Sequence, residues 1–144
     1  MSETRQSIDD YYLSILQVVA ARSTCARRKV GAIITDDRSH VLSMGYNGVP
    51  SEVPHCTEQP CPGVEDQPGD NSRCQAVHAE QNAIMQCSSL RHARTIYVSC
   101  APCFYCAKMI CNTGIARVVC AEQYADDRGL SLLNFCGIEV IVCN

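Results

Sequence analysis

The chain has 144 residues, 47% of them hydrophobic and 19% charged, with a net charge of −3. That length is enough for one domain with a sizeable core. It holds no apolar run of the roughly 18 residues a membrane span needs, and its slight acidity argues against a polynucleotide partner, whose binders carry basic patches.

The opening MSETRQSIDDYY is polar and acidic rather than an export signal, so a cytoplasmic protein is expected. Residues Ile8, Tyr12, Ile15, Leu16, Val19 and Ala20 recur at helical spacing and predict a first helix. KVGAIITDDRSHVLSMGYNG reads as two strands joined by a polar turn, an antiparallel hairpin. Residues 50–74 hold five of the six prolines and show no period, which predicts a long loop with either a task or a staple. A helix over 77–88, the strand RTIYVSC, the helix CFYCAKMICNTG, the strand ARVVCAE, the helix DDRGLSLLNFCG and the strand IEVIVC then alternate, with Gly114, Gly129 and Gly137 read as marking element ends. Alternation of this kind implies βαβ crossovers and parallel neighbours. The expected fold is α/β, three layers deep: a five-stranded mixed sheet whose last strands are parallel, helices on both faces, in a single domain over 1–144.

Twelve cysteines in a chain of this length, without an export signal, read as metal ligands and buried thiols rather than disulfides. Cys103 and Cys106 are three apart, so a helix projects them from one face near its positive end, which favours the thiolates a metal needs. Pro102 suits the first helical position. His78, opening the helix before, reaches the same sheet edge if that helix leads into RTIYVSC. Two sulfurs and an imidazole leave one zinc position open for water, the mark of a catalytic site. Glu80, two residues from the histidine, is placed to move that water's proton without ligating. Either motif alone has an ordinary reading, a structural CxxC or a helix-start histidine. Together they match the H-x-E…P-C-x-x-C pattern of zinc deaminases.

With HAEQNAI, APCFYC and GYNG taken together, the chain resembles the deoxycytidylate (dCMP) deaminases of the cytidine deaminase superfamily over about its whole length. The resemblance implies hydrolysis of dCMP to dUMP and ammonia, feeding thymidylate synthesis, with a zinc-activated water attacking C4 and Glu80 shuttling protons to N3 and the amino group. It implies that Asn47 binds the sugar, with Ala79 also expected against the substrate; Tyr124, just past ARVVCAE at the active-site edge of the sheet, is placed to close over the nucleotide. It further implies a homohexamer, activated by dCTP and inhibited by dTTP with Mg²⁺, with Tyr46, Asn47 and Gly48 at the effector site. Glycines flanking Tyr46 and Asn47 would allow positive φ and close backbone approach to a ligand, though a plain strand-end turn reads the same way. Arg27, Arg28 and Lys29 are suited to phosphate, of substrate or of effector.

Cys56, Cys61 and Cys74, with His55, fall in or bound the proline-rich segment, and Cys25 follows the first helix. They read either as a second, structural zinc stapling that loop, which the resemblance also implies, or as four reduced thiols. Cys87, Cys100, Cys111, Cys120, Cys136 and Cys143 read as packing residues. Two rival functions share the motifs: a polynucleotide deaminase, and a zinc-stabilised interaction module that leaves Glu80 without a purpose.

Overall fold

The computed structural model describes residues 3–143. The first helix, α1 (Ile8–Ala21), opens on Ser7, whose hydroxyl accepts the Asp10 N–H at 3.1 Å and so satisfies one of the helix's free donors. The strands β1 (Gly31–Asp36) and β2 (Val41–Tyr46) form the expected hairpin. After the proline-rich segment come α2 (Ala79–Met85), a 3-10 turn at Leu90–His92, β3 (Ala93–Cys100), α3 (Phe104–Cys111), β4 (Arg117–Glu122), α4 (Arg128–Phe135) and β5 (Glu139–Val142).

The strands lie in the order β2-β1-β3-β4-β5. β1 is antiparallel to both its neighbours, and β3, β4 and β5 are parallel. The expected five-stranded mixed sheet is therefore the observed one. Successive right-handed crossovers running the same way across a sheet set their helices on the same face, and α3 and α4 do lie together.

Side-chain alternation divides the core. Ala32, Ile34, Ile96, Val98, Val118 and Cys120 point into a large cluster with Ala83 of α2, Ala107 and Ile110 of α3, and Leu133 of α4. The intervening Ile33, Tyr97 and Val119 point the other way, onto Tyr12 and Leu16 of α1. One helix thus covers one face and three cover the other. Of the expected α1 stripe, Tyr12, Leu16 and Ala20 are buried, Ile15 and Val19 are half-buried, and Ile8 is exposed.

Polar contacts lock α1 to its face. Asp9 accepts from the Tyr97 hydroxyl at 2.7 Å and from two Arg117 nitrogens at 3.1 and 2.6 Å.

Three expectations are corrected. Cys136 and Cys143 are exposed, because one follows the last turn of α4 and the other the end of edge strand β5. Gly129 does not end an element but sits in the first turn of α4. The glycines around Tyr46 and Asn47 do not have positive φ; among glycines that conformation belongs to Gly69 and Gly137. A Cβ at Gly45 would stand 2.6 Å from both the Ala79 carbonyl and the Ala83 nitrogen, so this glycine lets α2 lie directly on β2.

Candidate active site

The carboxyl ends of β3 and β4 meet the starts of α2 and α3, the crevice where open α/β sheets take their ligands. Beyond β3, the Ala101 N–H continues the pairing by donating to the Glu122 carbonyl at 2.9 Å. Pro102, expected as the first helical residue, instead precedes the N-cap. Cys103 is that N-cap, with extended backbone (φ −69°, ψ 171°), and its carbonyl accepts the first helical bond from Ala107. The extended residue turns its sulfur back toward α2, while Cys106 follows one turn later and is fully buried.

His78 caps α2. Its own N–H is taken by the Gln81 Oε1 at 2.8 Å, the backward half of a capping box. The ring faces the two sulfurs. His78 Nδ1 lies 3.2 Å from Cys106 Sγ and 3.4 Å from Cys103 Sγ. The three donor atoms all fall within 4.8 Å of one another, the only such group of three among the described residues.

The electrostatics suit a soft dication. Cys103 Sγ accepts from the Cys106 thiol and lies beside the His78 ring, and its pKa falls to about 4. Cys106 is pushed up, first by its bond to the Cys103 sulfur and then by burial. Two buried thiolates side by side repel, so only one forms without a cation. The trio of two sulfurs and an imidazole is a donor set for zinc, and these residues fit the ion.

Glu80 lies on the first turn of α2 with 5% of its surface exposed. Desolvation pushes its carboxyl pKa upward, while the His78 ring and the Cys106 thiol beside it favour the charged form. A buried carboxyl held this way is poised to take and return protons.

A cavity of about 340 Å³ opens above these groups. His78, Ala79, Glu80, Cys100, Ala101 and Cys103 form its floor; Cys25, Arg27, Arg28, Val30, Asn47 and Tyr124 its walls; Pro68, Gly69 and Asn71 its roof. Ala79, fully buried, is the first residue of α2.

Asn47 lines the cavity, but most of its amide is committed. Its Oδ1 accepts from Ser23 Oγ at 2.6 Å and from the Val30 N–H at 2.8 Å, and its Nδ2 donates to the Arg28 carbonyl at 2.7 Å. It thereby fixes residues 28–30, leaving one N–H to offer a ligand.

The three basic residues part company. Arg27 donates to the carbonyls of Gln67 and Asp70. Arg28 stands at the cavity wall, its guanidinium 5.8 Å from the Tyr124 ring centre and 3.6 Å from the Glu122 carboxylate. Lys29 is exposed and does not line the cavity. Neither do Tyr46, whose carbonyl accepts from Asn82, and Gly48, which bridges to Val77.

The four cysteines expected to hold a second metal are drawn together less tightly than the first trio. No three sulfurs of Cys25, Cys56, Cys61 and Cys74 come within 4.8 Å of one another. Cys25, Cys56 and Cys61 are buried and Cys74 half-buried. Polar bonds order the segment instead: Cys61 N–H to Cys56 Sγ at 3.4 Å, Thr57 N–H to the Thr24 carbonyl at 3.2 Å, and the Arg73–Asp66 ion pair.

Three contributors escaped the sequence reading. Asn71 donates to the Tyr124 hydroxyl at 3.0 Å, but in sequence it is one more polar turn residue. Cys100, at the end of β3, faces the cavity, and in sequence it looks like any strand cysteine. Gly129 lets α4 close on the metal loop: a Cβ there would stand 2.2 Å from the Pro102 carbonyl. A glycine inside a helical pattern was the one available signal.

The family described as the cytidine and deoxycytidylate deaminase zinc-binding region matches residues 6–122. The deoxycytidylate deaminase of Mycobacterium phage D29 is 42% identical over 128 residues, covering 83% of this chain and 98% of that protein. That of Saccharomyces cerevisiae is 34% identical over 140 residues; the match covers 94% of this chain but only 45% of the yeast protein. Among solved structures, dCMP deaminase from the cyanophage S-TIM5, in complex with dCMP and dUMP, superposes with a TM-score of 0.77 at 26% identity, covering 97% of this chain and 99% of that one. A model match across most of the sequence and relatives above 30% identity give one conclusion: the chain belongs to the cytidine and deoxycytidylate deaminase family.

Proposed function

We propose that this protein deaminates dCMP, consuming water and releasing dUMP and ammonia. The observation that carries the reading is a buried carboxyl, Glu80, beside a His/Cys/Cys donor trio on the floor of a nucleotide-sized cavity. Zinc, held by His78, Cys103 and Cys106, supplies a Lewis acid that makes water acidic near neutral pH.

The chain's own residues do the rest. Glu80 accepts one proton from water and delivers it to the ring nitrogen N3; the water oxygen bonds to C4, and Glu80 carries that oxygen's remaining proton to the amino group as the C4–N bond breaks and ammonia leaves. Its burial keeps those protons from bulk solvent. Ala79 packs beside the base and the remaining Asn47 N–H meets the sugar. Tyr124 closes one side. Arg28, paired among the described residues only with the exposed Glu122 carboxylate at 3.6 Å, is the wall guanidinium that turns to a phosphate, since loop carbonyls hold Arg27. A cavity of this size suits a mononucleotide, and the roof and net acidity count against a polynucleotide.

The finer reading includes regulation by dCTP and dTTP, with Mg²⁺ on the triphosphate, and a homohexamer working in the cytoplasm. Lys29, Tyr46 and Gly48 lie outside the cavity lining, which leaves them available to an effector. Exposed Met44, Met85, Tyr105 and Phe135 supply apolar surface for subunit contacts. No helix among the described residues is long and apolar enough to cross a membrane.

The test is ammonia release from dCMP, cytidine, dCTP and an oligodeoxynucleotide, each alone, and then from dCMP with dCTP or dTTP added as effector. Turnover of dCMP above the others is expected. Release from the oligomer alone would overturn the proposal.

A further inference from the structure

The roof of the cavity rests on contacts unlike those below it. From residue 64 to residue 73 no residue is buried, so no hydrophobic anchor holds this stretch down. Within it, residues 67–71 bridge the cavity from one wall to the other. On one side the Arg27 guanidinium donates to the Gln67 and Asp70 carbonyls, the latter at 2.9 Å. On the other, Asn71 Nδ2 donates to the Tyr124 hydroxyl at 3.0 Å.

Between them Gly69, at φ +90°, turns the chain; a Cβ built there would meet Ala125 and Asp126 at ordinary contact distance. An internal turn, with Asp70 N–H bonded to the Gln67 carbonyl at 2.9 Å and Asp70 Oδ1 accepting the Ser72 N–H at 3.0 Å, lets the bridge move as one unit. A segment tied by a few partly exposed hydrogen bonds, without buried apolar area, is the part of a fold that opens at least cost.

We propose that residues 67–71 are a strap that lifts to admit the nucleotide and closes over it, with Arg27 and Asn71 as its positioning residues. Asn71 is the latch. It ties the strap to the wall tyrosine that also carries the Arg28 guanidinium over its ring, so strap closure and placement of the phosphate-seeking arginine are linked through Tyr124. The proposal rests on the dCMP reading for its ligand, but the latch itself does not.

Two measurements test it on Asn71→Leu, which keeps the bulk and removes the donor. The first is trypsin cleavage after Arg73, just beyond the strap, followed by mass spectrometry without any nucleotide. Cleavage that tracks the open population should speed up about three- to tenfold on loss of one hydrogen bond. Tyr124→Phe should do the same, and the double variant should add nothing to either single change. The second is steady-state kinetics with dCMP. KM should rise about three- to tenfold, with kcat within about twofold, because Glu80 and the donor trio are untouched. Unaltered cleavage would overturn the strap, and so would faster cleavage with unaltered KM, or additive effects in the double variant. A wild-type protein inert toward dCMP would sink the functional reading alone, leaving the cleavage rates to decide the latch.

Discussion

On the floor of the cavity Ala79, Glu80, Ala101 and Cys103 are buried and His78 is half-buried, whereas across the roof no residue from 67 to 71 is buried. The floor stands on regular elements: the fully buried Ala83, Ala107, Ile110 and Val98 hold α2, α3 and β3 in one apolar cluster, so its donors are placed to within the tolerance of packed side chains. The roof has hydrogen bonds from Arg27 and Asn71 in place of a core. Chemistry that needs fixed distances is given to the rigid part, and access, which needs movement, to the soft part. The contrast breaks if a floor residue governs entry or a roof residue governs the chemical step.

The largest effect belongs to the floor. Glu80→Ala should lower kcat by about 10²- to 10⁴-fold, the usual weight of a general acid–base, while zinc content and unfolding temperature stay near those of the parent. Colorimetric ammonia assay beside atomic absorption reads both. Activity close to the parent's would remove Glu80 from the mechanism.

Next comes the donor trio. Metal analysis should find about one zinc per chain, since Cys25, Cys56, Cys61 and Cys74 do not close into a second group. Cys106→Ala should lose it. Bound zinc stabilises the folded chain by about 4 kcal/mol when free metal stands about a thousandfold above its Kd, so chelation should lower the calorimetric unfolding temperature of the parent and leave Cys106→Ala nearly unmoved. Two zincs per chain would show that the loop, too, is metal-built, and the floor–roof contrast would fail.

The donor trio was legible in the sequence and the roof was not, for a physical reason. Cys103 caps one short helix and Cys106 lies in its first turn, so their spacing sets both at the helix start, and the β-α alternation brings His78 to the same sheet edge. The division of the core also follows from local alternation, as Ile96, Tyr97 and Val98 show. By contrast, Asn71 meets a tyrosine 53 positions away, and no periodicity encodes that. Pro102 was read from helix rules, yet the need to aim a sulfur made Cys103 extended and pushed the helix start onward. The GYNG glycines were read as open to a ligand, and Gly45 is taken up by α2.

Gly129 sharpens the floor side of the comparison. A methyl group there would collide with the Pro102 carbonyl at 2.2 Å and with the Cys103 backbone at 3.0 Å. Backbone cannot yield as a side-chain tip does. Gly129→Ala should therefore cost about 1–3 kcal/mol despite the better helix propensity of alanine, and kcat should fall as the metal loop shifts. Urea denaturation and initial rates measure the two. Stability equal to the parent's would mean that α4 does not buttress the loop.

The smallest effect lies on the opposite face of the sheet and serves as the reference for both parts. The Arg117 guanidinium holds the Asp9 carboxyl below its ordinary pKa, against the opposing pull of burial, with the Tyr97 hydroxyl assisting. Because the folded value is depressed, the stabilisation is fully present above the unfolded pKa of about 3.9 and is lost as pH falls through the folded value. Asp9→Asn keeps the shape and removes the charge, while Arg117 retains Glu139 at 3.2 Å. It should cost about 1 kcal/mol at pH 7, and the gap from the parent should close on acidification below about pH 4. Taking the difference between the two proteins at each pH cancels the loss of thiolate ligands common to both. Urea midpoints at pH 7 and pH 3 measure it, with kcat, KM and cleavage after Arg73 expected to match the parent at pH 7. A gap that persists at pH 3 would assign the contact to packing rather than charge, and a changed KM would mean that α1 reaches the cavity through β3.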